Sequence, residues 1–349
     1  MQRNRALPKN GAILSVAGCH DCCHDNRYDN RHNNRNLIKL RGWRRNALSY
    51  GGSEDVSRKI LDKAAMKQAF GRAGDPGAPK SGLQAEVAGR LLERLDGLKF
   101  DPTIIVDLGC GSGVQAKALS QRFGNARVVV AMDRSLPMLV RANTARGWLR
   151  KRFERAAGDA DALPLAESSV DLLYSNLTLQ RCEELPATLN GFRRVLKPGG
   201  LVLFSTLGPD TLIELSEAWK KTDGQQIVRP FADVQTIGDA MMRAGFGEPV
   251  LDTDWITTGH KQPQQLLDET ETLGATCPGI DLQPGQAPPA SIESLQRACE
   301  GARIDSGLYT STWEVIYASA WGPEEGAPIR NIHGEEASVS VASIGRRER

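Results

Sequence analysis

Between Thr103 and Thr206, short apolar runs alternate with stretches of helical period, and one joint between them is a cluster of three glycines. Thr103-Ile-Ile-Val-Asp-Leu108 reads as a buried strand, and a helix follows the glycines at about Gly113–Phe123. Arg127-Val-Val-Val-Ala-Met132 is a second strand and Leu136–Arg146 a helix. Val170-Asp-Leu-Leu-Tyr-Ser175 is a further strand, Leu185–Val195 a helix, and Pro198-Gly-Gly200 turns the chain into the strand Leu201–Thr206. This β–α alternation implies an α/β fold, with a doubly wound, mostly parallel sheet and helices on both faces.

The flanking sequence extends that pattern. Upstream, a helix is expected over Lys59–Gly71, and Gly74-Asp-Pro-Gly-Ala-Pro79 breaks it. In Leu83–Leu98 the residues Val87, Leu91, Leu92, Leu95 and Leu98 recur at helical spacing. Downstream, Asp233–Ala244 reads as a helix, and Val250–Thr258 and Trp313–Ala320 as strands. Segments 207–232 and 259–310 are long for simple connections and are expected to form a helical lid over the substrate side.

Charge and cysteines limit the classes open to the chain. The first 50 residues hold ten Lys or Arg against three Asp, while the remainder holds 34 basic and 39 acidic residues. Residues 1–55 are Asn- and Arg-rich with little apolar periodicity, and read as a disordered basic tail: either native, or an upstream extension from a wrongly chosen start codon. The domain proper is then 56–349. Being mildly acidic, it gives no general reason to expect nucleic acid. No run of about 18 apolar residues suggests a membrane span. Seven widely spaced cysteines do not suggest a disulfide framework, and with no secretory pattern they fit a reducing, cytoplasmic setting. Cys19-His-Asp-Cys-Cys-His24 lacks a second ligand pair at finger spacing, so no metal site is expected. Nor does any segment call for an obligate protein partner.

The strongest chemical signal is Asp107-Leu-Gly-Cys-Gly-Ser-Gly113, at a strand end and before a helix. Gly109, Gly111 and Gly113 let the backbone turn sharply and approach a ligand, and the helix N-terminus offers unpaired N–H groups. A dinucleotide fingerprint would need glycine at 114, where Val stands. The GxGxG spacing instead resembles the first motif of class I S-adenosylmethionine (SAM) methyltransferases, which implies a Rossmann-like seven-stranded sheet. Asp133, closing the second strand, suits the two ribose hydroxyls as a bidentate acceptor. In Gly158-Asp-Ala-Asp-Ala-Leu-Pro164 the resemblance assigns Asp159, with Ala160, to the adenine. Asp171 and Ser175-Asn176-Leu177 lie on the strand that reaches the methyl centre, and Val195-Leu-Lys-Pro-Gly-Gly-Leu201 matches the turn before strand five.

Ser175-Asn-Leu-Thr-Leu-Gln180 and Phe204-Ser-Thr-Leu-Gly-Pro209 narrow the resemblance. So do Ala69-Phe-Gly-Arg-Ala73, Leu83-Gln84 with Leu91–Asp96, Ile237-Gly-Asp-Ala with Ala244-Gly-Phe246, and Trp313–Trp321. From about residue 60 to the C-terminus the chain resembles the malonyl-acyl-carrier-protein O-methyltransferases of biotin synthesis. There are three departures, of which one is that Ile227-Val-Arg-Pro-Phe231 only approximates the family's pattern. Gly77 and Ala78 occupy the places of a family Tyr-Asp pair whose tyrosine is expected to help close the cofactor site, and Arg181 stands where an aromatic residue is frequent.

The resemblance implies a transferase that moves the SAM methyl to the free carboxylate of a malonyl thioester on an acyl carrier protein, leaving S-adenosylhomocysteine. A carboxylate is already ionised at pH 7, so no general base is needed. None of the five histidines falls within 100–250. Catalysis would then rest on positioning, with Asn176 and Gln180 orienting the substrate. Cofactor contacts fall to Asp107, Gly109, Gly111, Gly113, Asp133, Asp159, Ala160, Asn176 and Leu177, and Arg229 is the candidate for the malonyl carboxylate. Arg141, Arg146, Arg150, Lys151, Arg152 and Arg155 read either as a docking patch for an acidic carrier or as a solvated helix face. Two other readings stay open: a SAM methyltransferase acting on another small carboxylate, and a degenerate methyltransferase fold serving as an interaction protein.

Overall fold

A computed structural model describes residues 13–15, 37–39, 82–146, 152–222, 228–275, 300, 303, 307–323, 329–331 and 334–336. In chain order the elements are β1 (Ile13–Ser15), β2 (Leu37–Lys39), α1 (Gly82–Glu93), β3 (Ile104–Leu108), α2 (Val114–Arg122), β4 (Val128–Asp133) and α3 (Leu136–Arg146). Then come β5 (Glu154–Ala157), β6 (Val170–Ser175), α4 (Leu185–Val195), β7 (Leu196–Leu207) and α5 (Ile213–Thr222). The last are α6 (Val234–Arg243), β8 (Gly247–His260), α7 (Pro263–Leu273), β9 (Tyr309–Trp321) and the hairpin β10 (Ile329–Asn331) with β11 (Gly334–Glu336).

One sheet runs in the order β2-β1-β5-β4-β3-β6-β7-β9-β8. β9 is antiparallel to both of its neighbours, and the other pairs are parallel. Seven strands, β3 to β9, make the expected mostly parallel sheet. The two three-residue strands β1 and β2 extend its edge, and both lie in the segment that reads as a tail. From β3 the chain winds outward to β4 and β5, then returns to the other side of β3 for β6 and β7. The order therefore reverses between β3 and β6, and the carboxyl ends of these strands open a crevice there.

Side chains alternate across the sheet and divide between two apolar layers. Ile105, Leu172, Tyr174, Leu201 and Leu203 face one side, where Leu83, Val87 and Leu91 of α1 and Leu119 of α2 cover them. Val106, Leu173, Val202 and Phe204 face the other, beneath Leu189, Phe192 and Val195 of α4 and Ile237 and Met241 of α6. The helical spacing of those residues is what lets each helix bury one stripe. Helix ends follow local chemistry: Pro186 opens α4, and the Asp233 carboxylate accepts the Thr236 N–H at 2.7 Å to cap α6.

Differences from the expected elements have physical causes. β5 carries no strand pattern: it is four residues, Glu-Arg-Ala-Ala. Its Arg155 is buried, and Nη1 donates to the Leu139 carbonyl of α3 at 2.6 Å. Arg155 therefore stands inside the fold and not on a basic surface patch. β7 begins at Leu196, because Leu196 pairs with Val170 ahead of the Lys197–Gly200 irregularity. The long segment 207–232 contains α5 and 259–310 contains α7. The expected helix at 59–71, the Cys19–His24 cluster, Gly77 and Ala78 lie outside the described residues. No helix among the described residues is long and apolar enough to cross a membrane.

At the amino-end edge of the sheet, Asp171 binds three strand starts together. Oδ2 accepts Thr103 Oγ1 at 2.7 Å and the Ile104 N–H at 2.8 Å, and Oδ1 accepts Lys197 Nζ at 2.7 Å. Burial works to raise its pKa, but the bonds from Lys197, Thr103 and Ile104 outweigh it and hold the carboxyl below the usual range. Asp171→Asn should cost about 1.5–3 kcal/mol in urea denaturation at pH 7. A depressed carboxyl stabilises the fold only where it is ionised, so this difference should shrink as pH falls below about 4.

Candidate active site

The glycine loop is shaped by its bonds to β4. Gly109 N–H and Cys110 N–H both donate to the Met132 carbonyl, at 2.8 and 3.0 Å, and Gly111 N–H donates to Asp133 Oδ2 at 2.9 Å. Reaching back this way requires left-handed backbone: φ is +72° at Gly109, +50° at Gly111 and +77° at Gly113. A Cβ at Gly109 would run into the Thr178 side chain, and one at Gly113 would lie 2.9 Å from Phe153 Cζ and 3.0 Å from Ala142 Cβ. At Gly111 it would meet nothing. Gly111 thus faces open space, while Gly113 seats α2 against the core.

A cavity of about 530 Å³ opens above this loop, at the carboxyl ends of β3, β4 and β6. Asp107, Gly109, Gly111, Asp133, Asp159 and Ala160 line it, together with Asn176 and Leu177. Of the other expected contacts, Gly113, Gln180 and Arg229 are not part of its wall.

Each lining group is held by its neighbours. Asp107 is fully buried, and its Oδ2 has no hydrogen-bond partner. Burial pushes this carboxyl up to about 7, with the nearby Asp133 charge adding to the rise. Asp133 accepts the Ser135 N–H at 2.8 Å through Oδ1, and burial raises its pKa against the pull of the Ser135 and Gly111 N–H groups. Asp159 lies 3.8 Å from Arg134. Asn176 bridges two elements: its Oδ1 accepts Ser205 Oγ at 2.8 Å and its Nδ2 donates to the Gln84 carbonyl at 3.3 Å. Leu177 sits at φ +48°, where a non-glycine residue is strained, and its N–H is fixed by Ser205 Oγ at 3.0 Å. Cys110 and Cys182 are free thiols on the wall, and burial raises both pKa values.

Gln180 braces the site from outside the cavity. Its Nε2 donates to the Leu177 carbonyl at 2.9 Å and to the Leu273 carbonyl of α7 at 3.2 Å. The Arg229 N–H donates to the Ala275 carbonyl at 2.9 Å, just past the same helix. Of the basic cluster, Arg141 lines the cavity and Arg152 is exposed, while residues 147–151 lie outside the described set. Gln84, Arg134, Arg181 and Thr272 are among the wall residues that were not expected there. Arg134 directly follows Asp133, a local signal; Thr272 arrives only through the docking of α7. Among the described residues no group of three His, Cys, Asp or Glu side chains could hold a metal ion.

A doubly wound sheet with a glycine loop and acidic strand ends at its switch point defines a class I methyltransferase, and the methyltransferase domain family matches residues 106–204. The chain is 38% identical over 280 residues to the "Malonyl-[acyl-carrier protein] O-methyltransferase" of Gallionella capsiferriformans (strain ES-2), covering 79% of this chain and 95% of the relative. It is 37% identical to the enzyme of that name from Xylella fastidiosa (strain M23), over 83% and 98% of the two chains. A Coxiella burnetii relative, "Malonyl-[acyl-carrier protein] O-methyltransferase 1", is 36% identical over 82% and 97%. The chain belongs to the malonyl-acyl-carrier-protein O-methyltransferase family.

The glycine contrast gives a stability test. Gly111→Ala should cost about 1 kcal/mol, from its backbone conformation alone. Gly113→Ala should cost about 2–4 kcal/mol, because overlap with Phe153 and Ala142 adds to the same strain. Urea denaturation of the two variants checks the order.

Proposed function

We propose that this chain methylates the free carboxylate of a malonyl group carried as a thioester on an acyl carrier protein, with SAM as donor, as an early step of biotin synthesis in the cytoplasm. The observation that carries this reading is the chemistry of the cavity wall. Along it run the buried Asp107 carboxyl with its unpartnered Oδ2, a second carboxylate at Asp133 and the half-buried Asp159–Ala160 turn. These fit, in order, an ammonium group, a ribose and an adenine. The volume lies within the usual range for small-molecule sites.

When bound, SAM supplies a sulfonium-activated methyl group. The residues do the rest. Gly109 and Gly111 bring the loop backbone close, and Asp107 meets the ammonium. Asp133 keeps lone pairs for ribose hydroxyls beside its two backbone bonds. Asn176, pinned between β7 and α1, and Leu177, held in a strained conformation, shape the end where the acceptor enters. Among the described residues, no His, Lys or Tyr lines the wall. That suits an acceptor already ionised at neutral pH, for which orientation and exclusion of water carry the rate. Sequence identity over nearly the full length of the relatives supports the malonyl thioester as that acceptor.

Calorimetric titration with SAM and S-adenosylhomocysteine should show micromolar binding, abolished by Gly111→Arg. An ammonium beside Asp107 favours its ionised form, so a carboxyl near 7 loses its proton on binding. Affinity should therefore be several-fold tighter at pH 7.5 than at pH 6, and Asp107→Asn should flatten that dependence. Methyl transfer to malonyl-acyl carrier protein, and rescue of a biotin auxotroph lacking the methyltransferase, test the acceptor. Absence of SAM binding at millimolar concentration would sink the enzyme reading and favour the interaction protein.

A further inference from the structure

Four aspartates, at 107, 133, 159 and 161, line the cavity. An acceptor carrying a carboxylate meets like charge there and needs a local cation. Arg134 faces Asp159 at 3.8 Å, on the side fitted to the adenine. Arg181 occupies a different place. It ends the 3-10 turn Leu179–Arg181, directly after the Asn176–Thr178 segment that leaves β6. From there it lines the cavity with Cys182 and Thr272.

The surroundings make room for this guanidinium. Nη2 donates to the Thr272 carbonyl in the last turn of α7. Gly274, at φ +67°, follows that turn, and a Cβ on it would lie 3.0 Å from Arg181 Nε. Burial lowers the Arg181 pKa to about 10, with Asp133 opposing the fall and Arg229 adding to it. Arg181 is still a cation at pH 7, but one that has given up much of its water. Such a group gains strongly from an arriving carboxylate.

We infer that Arg181 is the acceptor clamp, its guanidinium holding one oxygen of the substrate's free terminal carboxylate while the other oxygen attacks the methyl carbon. The O–C bond forms as the S–C bond breaks, the electron pair goes to sulfur, and no proton moves. The identity of the acceptor as malonyl rests on the function proposed above, whereas the clamp needs only a short thioester with a free carboxylate. Arg181 thus takes the role offered to Arg229, whose backbone meets Ala275 outside the cavity wall.

The test compares malonyl-, succinyl- and glutaryl-pantetheine with their terminal methyl esters, titrated against the full chain saturated with S-adenosylhomocysteine. Wild type should bind at least one free acid about tenfold or more tighter than its ester. Arg181→Gln should bring that ratio to about twofold or less, with S-adenosylhomocysteine affinity changed less than about threefold. Arg181→Lys, which keeps the charge, should retain an intermediate ratio and serves if the Gln variant does not fold. The clamp is overturned by an unchanged ratio in Arg181→Gln or by a wild type indifferent to the acid. It is also overturned if S-adenosylhomocysteine affinity falls in step, which would give the guanidinium to the cofactor's own carboxylate. An acid preference for succinyl or glutaryl without methylation of malonyl would keep the clamp and discard the malonyl assignment.

Discussion

The hold of the glycine loop on β4 is the constraint on which the site depends. Three N–H groups, of Gly109, Cys110 and Gly111, reach back to Met132 and Asp133 on the adjacent strand. They can do so only because β4 lies beside β3 in register, and only because two of the three residues tolerate positive φ. The loop cannot then collapse over the strand ends. The space it leaves is the cavity, and the Asn176–Thr178 segment that follows β6 lines it from the other side of the switch point. Sheet order, loop conformation and cavity are thus one arrangement.

That arrangement buries charge at a cost to stability. Asp107 passes from a pKa near 3.8 in the unfolded chain to about 7 in the fold. A carboxyl raised in this way favours the folded state only while protonated. Its contribution is present below about 4 and is lost as pH rises to about 7. Near neutral pH the ionised Asp107 therefore works against the fold, and a cation bound beside it would remove the penalty. Leu177, at φ +48°, adds strain at the opposite lip. Strain at Leu177 and desolvation at Asp107 both fall at the cavity, while the Asp171 cluster at the far edge of the sheet is stabilising. The two ends of the same strands serve opposite purposes.

How much was legible in the sequence follows from how local each cause is. β3, β4 and β6 are short, largely apolar runs, and the glycine spacing declares a turn that approaches a ligand; both were readable, as was Asp133 at the end of its strand, whereas Asp159 was reached only through the family resemblance. β5 was not. Glu154-Arg-Ala-Ala157 becomes a strand because β4 offers it an edge and because Leu139 accepts from its buried arginine. Neither fact has a trace within four residues. Gly113 carries the same motif signal as Gly111, yet the packing of Phe153 and Ala142 separates their roles. Arg181 was visible as a departure from its family, but its meaning depends on α7, which is 91 residues away along the chain.

Helix α7 couples the acceptor side of the cavity to the outer strands. At its carboxyl end, Gln180 and Arg181 donate to the carbonyls of Leu273 and Thr272, where the helix dipole is negative and accepts donors well. At its middle, Glu269 accepts His260 Nε2 at 2.9 Å and Thr258 Oγ1 at 3.1 Å, and Trp313 Nε1 donates to the same threonine at 3.0 Å. One end of the helix is therefore fixed by residues beside the cavity and its centre by β8 and β9. Arg181 cannot turn toward an incoming anion without altering a bond to Thr272, and Thr272 is itself cavity wall. Any acceptor carboxylate that engages the guanidinium must share it with the end of α7. The proposed clamp would therefore link acceptor recognition to the seating of α7 through a single side chain.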